Sequence, residues 1–486
     1  MLQDADALPQ LIGEYKPLDQ WQTHVNQLFY GLRGDQLRSY YQTYASADFR
    51  LAHALAADYY ERVIEREKIR NRQSSSINRQ SADSSRVTSH PAPLTVLELG
   101  PGNGNLAACF LSHLKTLDKE NTVYPRVRYV MADWQQTVLD GALAHPDLAL
   151  HRAHIETHRG SVEHLAGIAD AGVDRIICNE LWNDLPTKLL AKHDGEVEEE
   201  YLRPNLSESL HGKIQDWSAF VRAFQNNDLD GLKTFPPFFD ELVWEKEYRK
   251  VEWKDVPYRK TIAEFLQSID QEVLVPVNAG AFATLKEAKR LLAPDAIGFS
   301  VFDAGTGDMK VLNDPEKPCY GQFGGQYSFM VNFALVEAVA KHLGIKQTTL
   351  ESQREFVGRS LNTNVITLMD LLATHPTAGP TLQTWKQDRL VLKTIRALNE
   401  TFESPYRRRL EFPLSANMPA EERETLGAIL CVLKDNGIPD TVAYLTEEEL
   451  ARAQKDLEEI GYENDAISMA LSAPPSPVEY CHFACR

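Results

Sequence analysis

The sequence is poor in cysteine and has no long uninterrupted apolar stretch. Its six cysteines are scattered over 486 residues, a pattern unlike the disulfide framework of a small secreted protein. No apolar stretch approaches the length that spans a bilayer, and residues 1–15 lack the charged region and apolar run of a signal peptide. These absences predict a cytoplasmic protein without membrane insertion.

Patterns of metal ligands are also scarce. Cys481 and Cys485 lie close together near the carboxyl terminus, but no second pair or histidine cluster completes four ligands. We therefore predict no metal and interpret the last dozen residues as a tail. We interpret the histidines at 151, 154 and 158 as surface or capping groups.

Basic residues are outnumbered: 51 Lys and Arg stand against 69 Asp and Glu, for a net charge of −18. This field repels phosphate backbones and anionic membranes, so we predict no nucleic-acid partner. A neutral or basic substrate, including an arginine or lysine side chain of a protein, suits it better. The composition, 43% hydrophobic and 25% charged, is that of an ordinary globular enzyme.

The length predicts a main domain with further units. Residues 1–70 have helical periodicity, and residues 71–93 form a Ser-rich linker or loop. Residues 94–350 make the main domain, with an insertion at about 190–275 that contains an acidic run and an aromatic-rich helix. Residues 351–486 are predicted to be a helical carboxyl-terminal extension.

Apolar strands alternate with helices in the main domain. We predict strands at 95–99, 127–132, 173–178, 298–303 and 326–333, and a weaker one at about 148–155. The alternation predicts an α/β fold with a mainly parallel, Rossmann-like doubly wound sheet.

A glycine-rich turn lies between the first of these strands and a helix. Gly100, Gly102 and Gly104, with Asn103 between the last two, let a ligand approach main-chain N–H groups closely. A dinucleotide fold needs its third glycine three places after the second, whereas here the interval is two. The spacing favours S-adenosylmethionine, and the alternative is a tight structural turn.

Acidic residues at the ends of two strands accompany the turn. Glu98, two places before Gly100, can face the ammonium of the methionyl group, whereas it would repel a pyrophosphate. Asp133 ends the second strand and is either an acceptor for the ribose hydroxyls or a helix cap. Trp134 beside it is a candidate to lie against adenine.

Residues 179–186 follow a buried strand, where functional crevices of open α/β sheets lie. Asn179 is predicted to contact the cofactor, and Glu180 and Asp184 are predicted catalytic residues. Glu180 would hold a guanidinium in a bidentate pair and leave one nitrogen free to attack in line. The alternative is a capping turn with solvated carboxylates. For Asp303 we favour a hairpin turn, and residues 320–325 are a weak candidate for a pocket loop.

These residues resemble the MidA-like methyltransferase family, which includes a mitochondrial arginine methyltransferase that acts as a complex I assembly factor. The resemblance is carried by ELGPGNGNLA at 98–107, by NELWNDLP at 179–186, and more faintly by residues 298–305 and 331–345. It implies that the three glycines form the cofactor loop and that Asn179 and Glu180 lie beside the methyl group. It also implies a protein substrate or assembly partner.

The sequence departs from the family pattern at several positions. The family's aspartate after two aromatic residues falls on Asn183, with Asp184 one place later. Its acidic strand-end residue aligns nearer Ala132 than Asp133. The loop that carries an arginine in the family is replaced by residues 322–325.

We therefore predict an S-adenosylmethionine-dependent methyltransferase that acts on an arginine-like protein side chain by direct in-line transfer. The protein is a possible homodimer. The departures favour one alternative, a non-catalytic assembly factor or scaffold that keeps the fold. A nicotinamide-dependent oxidoreductase is disfavoured by the glycine spacing and Glu98, and nucleic-acid methylation by the net charge.

Overall fold

The structure is a computed structural model of the chain. It describes residues 10–33, 49–77, 93–269, 272–312, 314, 319–323, 325–377, 384–401, 418–424, 426–427, 444–474 and 480–486.

Eighteen strands are described, numbered here in chain order. They are β1 Gln10–Leu11, β2 Lys16–Pro17, β3 Leu94–Leu99, β4 Val127–Asp133, β5 Ile155–Arg159, β6 Arg175–Asn179, β7 Lys188–His193, β8 Glu196–Leu206, β9 Leu242–Lys250, β10 Val273–Val277, β11 Gly298–Thr306, β12 Tyr320–Phe323, β13 Gln326–Phe329, β14 Val331–Asn332, β15 Thr348–Ser352, β16 Val365–Ile366, β17 Leu445–Thr446 and β18 Tyr480–Cys485.

The principal α-helices of the described residues are numbered in the same way. They are α1 Leu18–Arg33, α2 Phe49–Ile77, α3 Asn105–Leu117, α4 Gln136–Leu143, α5 Glu208–His211, α6 Trp217–Gln225, α7 Leu229–Leu232, α8 Arg259–Gln267, α9 Ala279–Leu291, α10 Met309–Leu312, α11 Phe333–His342, α12 Gln353–Leu361, α13 Leu368–Ala373, α14 Thr384–Thr401, α15 Glu447–Glu459 and α16 Asn464–Ser472.

The main sheet has the strand order β15-β18-β11-β6-β3-β4-β5, with the short β14 paired to β11. Strands β5, β4, β3, β6 and β11 are mutually parallel. Strand β18 lies between β11 and β15 and is antiparallel to both. The prediction of a mainly parallel α/β sheet is confirmed.

Helices cover both faces of this sheet, as a doubly wound fold requires. All six residues of β3 are buried, and successive side chains point to opposite faces. Val96 belongs to the core cluster that includes α2, α3 and α4, whereas Leu97 belongs to the cluster that includes α8, α9 and α11. Burial on both faces explains why the strand is mostly apolar, and its two polar residues, Thr95 and Glu98, are buried as well.

A second, antiparallel sheet holds the amino-terminal residues and most of the insertion. Its order is β1-β8-β7-β10, and β2 and β9 also pair with β8. Helices α1 and α6 pack on it around Trp21, Phe220 and Phe224. The helical stretch predicted within 190–275 is confirmed by α6, but the acidic run 196–200 lies in strand β8.

The carboxyl-terminal tail is the largest correction to the sequence analysis. Tyr480–Cys485 is a strand in the interior of the main sheet, and Phe483 is fully buried. The short strand has no regular burial alternation, and it follows several prolines, so its sequence did not predict it. A packed helical cluster does exist within 351–486, around Leu371, Leu398 and Leu457. The unit boundaries at 94–350 and 351–486 remain predictions.

Three smaller expectations were also wrong. Residues 71–77 continue helix α2 instead of starting a linker, and the rest of that segment, 78–92, lies outside the described residues. Residues 146–154 form a 3₁₀ helix, and the strand follows at β5. Residues 326–333 form the hairpin strand β13, the short β14 and the start of α11, because Asn332 caps that helix with its side chain.

His151 also differs from its predicted surface role. It is 2% exposed, and its ring nitrogens contact the Ser112 hydroxyl at 2.9 Å and the Tyr124 hydroxyl at 2.7 Å. Among the described residues, no helix is both long and apolar enough to cross a membrane, and no disulfide joins the described cysteines.

Candidate active site

The parallel strands of the main sheet end at one edge, and the predicted site residues meet there. In the ladder Leu99 is opposite both Ala132 and Cys178, and Asn179 is opposite Phe302. The residues that follow these positions therefore lie side by side at the carboxyl edge. This is where ligands bind in open α/β sheets.

The glycine loop, residues 100–104, joins β3 to α3. Gly100, Gly102 and Gly104 have φ values of 67°, 51° and 79°, which glycine adopts without the steric cost paid by other residues. A Cβ on Gly104 would lie 2.6 Å from the Ala142 carbonyl oxygen, so that position is closed to any side chain. A Cβ on Gly102 would meet nothing within 4 Å. The loop therefore opens outward at Gly102, as a ligand cradle requires.

The glycine loop packs directly against residues 179–186. A Cβ on Gly100 would come within 3.2 Å of the Leu181 side chain. The Asn103 side chain accepts a hydrogen bond from the Asn105 N–H at 3.0 Å, at the start of α3. This contact stabilises the turn that leads into α3, and the predicted contact of Asn103 with the cofactor remains a prediction.

Glu98 lies beneath the glycine loop, 3% exposed, on the face of the sheet that packs against α2 and α3. The Tyr129 hydroxyl donates to its carboxylate at 3.1 Å. Burial raises the pKa of Glu98 to about 7, and the Tyr129 hydrogen bond opposes the shift. The predicted contact between Glu98 and the methionyl ammonium remains a prediction.

Asp133 ends β4 at the same edge, and its carboxylate accepts the Gln135 N–H at 2.8 Å. The contact stabilises the turn before α4, but the N-cap residue of that helix is Gln135, so Asp133 is not its N-cap. Burial raises the pKa of Asp133 to about 6, against the backbone hydrogen bonds that lower it. Trp134 is 43% exposed, so its indole is accessible to a ligand at this edge. The ribose and adenine contacts remain predictions.

The segment 179–186 supplies polar groups without protein partners. The side-chain oxygens of Asn179 and Asn183 are buried and accept no hydrogen bond from any residue that the structure describes. Such orphaned acceptors are costly unless a ligand or water satisfies them. Trp182, in contrast, belongs to the core: it is fully buried and donates to the Thr284 hydroxyl at 2.6 Å.

Glu180 has a backbone conformation that is rare for a residue with a side chain. Its φ is 49°, and its N–H donates to the Phe302 carbonyl at 2.7 Å. A left-handed residue of this kind costs of the order of 1–3 kcal/mol and persists where its surroundings over-determine it, often at functional sites. The conformation turns the chain sharply away from β6 at the sheet edge.

Three carboxyl groups gather beside this turn, and we call Glu180, Asp184 and Asp303 the carboxyl cluster. Asp303 is fully buried and accepts the Asn183 N–H at 3.2 Å. Burial, Glu180 and Asp184 raise its pKa well above the usual range. The prediction of a hairpin turn at Asp303 was wrong, because this residue lies inside β11 and pairs with Cys481.

Asp184 is held by residues far away in sequence. One carboxylate oxygen accepts hydrogen bonds from the Tyr30 hydroxyl and from the Gln326 side chain. Burial raises the pKa of Asp184 to about 7, although both hydrogen bonds lower it. This oxygen therefore links α1 and β13 to the carboxyl cluster. Only the other carboxylate oxygen of Asp184 remains for its predicted catalytic role.

Helix α1 holds the segment 179–187 with residues spaced four apart. The Gln22 side chain donates to the Leu185 carbonyl at 2.9 Å and accepts the Thr187 N–H at 2.7 Å. The Asn26 side chain contacts both the N–H and the carbonyl of Tyr327, at 3.0 and 2.9 Å. With Tyr30 these residues form one polar face. Sequence reasoning missed them, although a polar stripe at this spacing was a usable signal.

A family model matches the part of the chain that contains these residues. Residues 76–293, a little less than half of the chain, match a family model described as "Putative S-adenosyl-L-methionine-dependent methyltransferase". No curated protein matches the chain. The matched region contains the glycine loop and residues 179–186.

Similar solved structures have low sequence identity. A superfamily member from Burkholderia thailandensis, bound to S-adenosyl-homocysteine, is 14% identical over 79% of this chain and 84% of that chain, with a TM-score of 0.44. A SAM-dependent methyltransferase from Aquifex aeolicus is 11% identical over 54% of this chain and 77% of that chain, with a TM-score of 0.25.

The residues at the sheet edge fit this cofactor, because Gly102 opens into a cradle and the Asn179 oxygen is an uncommitted acceptor beside it. The doubly wound sheet, the glycine loop and the family match together show that the chain is an S-adenosylmethionine-dependent methyltransferase.

Proposed function

We propose that this methyltransferase modifies an arginine-like side chain of a protein, and that it is a divergent member of the MidA-like family. The observation that supports the proposal is the carboxyl cluster at the sheet edge beside the glycine loop. A guanidinium is a planar cation that pairs bidentately with a carboxylate. The net charge of −18 attracts a cationic substrate over longer distances.

The cofactor supplies an electrophilic methyl group on a sulfonium when it is bound. Gly100, Gly102 and Gly104 would hold it at the start of α3, with Asn179 and Asp133 as acceptors for its polar groups. Glu98 would contribute negative charge from below. These residues mainly position the reactants, which contributes a large part of the rate in a displacement of this kind.

Glu180 would bind the acceptor guanidinium and localise its charge on two nitrogens, so that the third keeps electron density for attack. Burial and the acidic neighbours raise the pKa of Asp303, so its carboxyl group would take up a proton more readily than a free carboxyl group. Its neutral form reduces repulsion against Glu180 and can take part in hydrogen bonding. The proton released from the guanidinium would pass to a carboxylate of the cluster or to solvent.

The test is transfer of isotope-labelled methyl groups from S-adenosylmethionine to proteins of a cell extract, followed by mass spectrometry of the labelled residue. We expect label on arginine with the wild type, none with Gly102→Val, and a loss of at least roughly hundredfold with Glu180→Gln, as for other groups that act in the transition state. Label on another residue type would refute the arginine proposal and leave the methyltransferase assignment intact.

A non-catalytic scaffold is the second candidate. It is favoured by Asn183, which stands where the resembled family has aspartate, and by the two hydrogen-bond donors on one oxygen of Asp184. A scaffold would bind S-adenosylmethionine without turnover and would keep its protein partner when Glu180 is changed to Gln. The cytoplasmic location and a possible homodimer are further proposals, testable by fractionation and by light scattering.

A further inference from the structure

Helix α1 reaches the carboxyl cluster through one of its faces. Gln22, Asn26 and Tyr30 follow one another at intervals of four residues, so their side chains point the same way. Asn26 donates to the Asp184 carbonyl at 3.2 Å, and the Tyr30 hydroxyl donates to the Asp184 carboxylate. A helix remote in sequence therefore contacts both the backbone and the side chain of Asp184.

A residue of β13 completes this contact. The buried Gln326 side chain donates to the same carboxylate oxygen of Asp184, Oδ2, and to the Tyr30 hydroxyl at 2.8 Å. The three side chains form a closed triangle of hydrogen bonds, which fixes the orientation of the carboxylate. Both donors are bound to Oδ2, so the other oxygen, Oδ1, is committed to neither of them.

The same turn brings Asp184 close to the glycine loop. Asp184 ends the 3₁₀ helix Trp182–Asp184, and its N–H donates to the Leu181 carbonyl at 3.1 Å. The Leu181 side chain is the one that a Cβ on Gly100 would approach to 3.2 Å. A 3₁₀ helix rises about 2 Å per residue, so Asp184 lies about 6 Å along the turn from the residue that packs on the glycine loop.

The other two acids of the carboxyl cluster are less suited to receive a proton from a substrate. Asp303 is fully buried, and its two oxygens accept the N–H groups of Asn183 at 3.2 Å and of Ala304 at 2.8 Å. Glu180 already has the proposed role of binding the guanidinium. Asp184, in contrast, is half-buried, and its Oδ1 is not used by the two side-chain donors.

The surroundings of Asp184 bring its pKa near neutrality. Burial raises the pKa to about 7, the hydrogen bonds from Tyr30 and Gln326 lower it, and Glu180 in the same turn raises it. Asp303 on β11 is a further acid that faces Asp184. A carboxyl group whose pKa is near the working pH is suited to accept a proton, because it is partly ionised and still basic. Without the two donors more of it would be protonated.

We propose that Asp184 receives the proton that the methyl acceptor releases, and that Tyr30 and Gln326 are positioning residues that keep its carboxylate ionised and oriented. The inference rests on the proposed function, because it assumes a guanidinium beside the carboxyl cluster. As the acceptor nitrogen bonds to the methyl carbon, the electron pair of the broken carbon–sulfur bond stays on sulfur, and one N–H proton passes to Oδ1 of Asp184. In the alternative, a purely structural clip, the protonation of Asp184 would not affect transfer.

The first measurement does not depend on activity. The full-length protein, with its aspartates labelled at the side-chain carboxyl carbon, is titrated by carbon-13 NMR, and the Asp184 signal is the one absent from Asp184→Asn. We expect Asp184 to titrate at about 7 in the wild type. In Tyr30→Phe and in Gln326→Met it should titrate about one pH unit higher, as for the loss of a hydrogen bond to a charged group.

The matched control is Tyr248→Phe. The Tyr248 hydroxyl donates to Glu200 at 2.7 Å in the second sheet, so this change removes a hydrogen bond of the same kind elsewhere. The Asp184 signal of this variant should titrate as in the wild type.

The second measurement is the pH profile of methyl transfer from labelled S-adenosylmethionine to arginine in the proteins of a cell extract, between about pH 5 and about pH 9. We expect the rate to rise as Asp184 ionises. In Tyr30→Phe and Gln326→Met the rise should occur about one pH unit higher, with a plateau within about twofold of the wild type. Asp184→Asn should lose this rise and about a hundredfold of the plateau rate, whereas Tyr248→Phe should follow the wild type.

Two results overturn the inference while the proposed function stands. In the first, the pKa of Asp184 is unchanged in both Tyr30→Phe and Gln326→Met. In the second, the pKa rises but the pH profile of transfer does not follow it, as for a structural clip. If one of the two variants does not fold, the other decides the test.

Failure of the proposed function gives a different pattern. A wild type that binds S-adenosylmethionine but labels no arginine refutes the proposed function, and with it the role of Asp184 in transfer. The NMR titration then still shows whether Tyr30 and Gln326 control the ionisation of Asp184.

Discussion

The glycine loop and the carboxyl cluster lie at the same sheet edge but are built in opposite ways. The glycine loop comes from one continuous segment, and its left-handed glycines are determined locally. The carboxyl cluster and the groups that hold it come from the segment after β6 and from α1, β11 and β13. The comparison shows that the glycine loop is a local property of the sequence, whereas the carboxyl cluster depends on the completed fold.

Removal of β18 is expected to have the largest effect on the stability of the fold. Truncation after residue 474 would delete a strand that pairs with β11 over six residues and with β15 over five. We expect loss of the whole stability of the main domain, of the order of 5–15 kcal/mol, and no cooperative melting by circular dichroism. Tyr480→Phe is the control, because it keeps the strand and should melt close to the wild type.

Gly102→Val addresses the glycine loop alone. The new side chain points into the cradle and the φ of 51° disfavours it, so we expect a loss of S-adenosylmethionine affinity of roughly a thousandfold, about 4 kcal/mol. The melting temperature should fall by only a few degrees because no protein atom lies within 4 Å of the new Cβ. Unchanged affinity in calorimetry would show that the cofactor does not touch this loop.

The buried carboxyl group of Glu98, below the glycine loop, should make the stability of the protein depend on pH. The folded-state pKa of Glu98 is raised to about 7, so its protonated form stabilises the fold below about pH 4.5, and this contribution falls as the pH rises to 7. The total is about 3 kcal/mol. Glu98→Gln stays neutral, and its stability relative to the wild type should therefore increase from pH 5 to pH 8 in urea titrations.

The control for Glu98→Gln is the exposed Glu65→Gln, which should follow the wild type at every pH. An identical pH dependence of Glu98→Gln and the wild type would mean that Glu98 does not titrate in this range.

Asn26→Leu tests whether α1 stabilises the segment that carries the carboxyl cluster. It removes three hydrogen bonds, two to the backbone of Tyr327 and one to the Asp184 carbonyl, at a cost of about 2 kcal/mol. Hydrogen exchange should accelerate in residues 179–187 and in β13, and less so in the glycine loop. Asn364→Leu, at an exposed position that contacts Glu447, should leave both regions unchanged. Equally accelerated hydrogen exchange in residues 179–187 and in the glycine loop would contradict the difference between the carboxyl cluster and the glycine loop.

The smallest effect is expected for Trp134→Ala. The indole is 43% exposed, so its loss should scarcely change the melting temperature, whereas S-adenosylmethionine affinity should fall about fivefold, or about 1 kcal/mol, if adenine lies against it. Met469→Ala, which removes another exposed apolar side chain, is the control. No change in calorimetric affinity would place adenine elsewhere.

The parts that could be predicted from the sequence are those with short-range causes. The strand β3, the turn at Gly100 and the helix α3 follow from a mostly apolar run and three glycines. Strand β18 was not predicted, because six residues of mixed polarity after several prolines resemble a tail. Only the strands that pair with it, β11 and β15, show that it belongs to the sheet. Asp303 was misjudged because its partner across the sheet, Cys481, belongs to that same strand.

The arrangement of the carboxyl cluster could not be predicted from the sequence for the same reason. Nothing near Asp184 in sequence indicates that Tyr30 and Gln326 share one of its oxygens, because contacts between distant segments leave no local periodicity. Burial, which raises the pKa of Asp184 and Asp303, is likewise a property of the assembled fold.

The position of β18 has a consequence for biosynthesis. During translation β11 leaves the ribosome well before β18, which follows only after the whole stretch between Thr306 and Tyr480. In that interval β11 presents an open edge, and such edges pair readily with other chains. The nascent protein should therefore depend on chaperones that shield this edge, and slower synthesis of the intervening stretch should increase its aggregation.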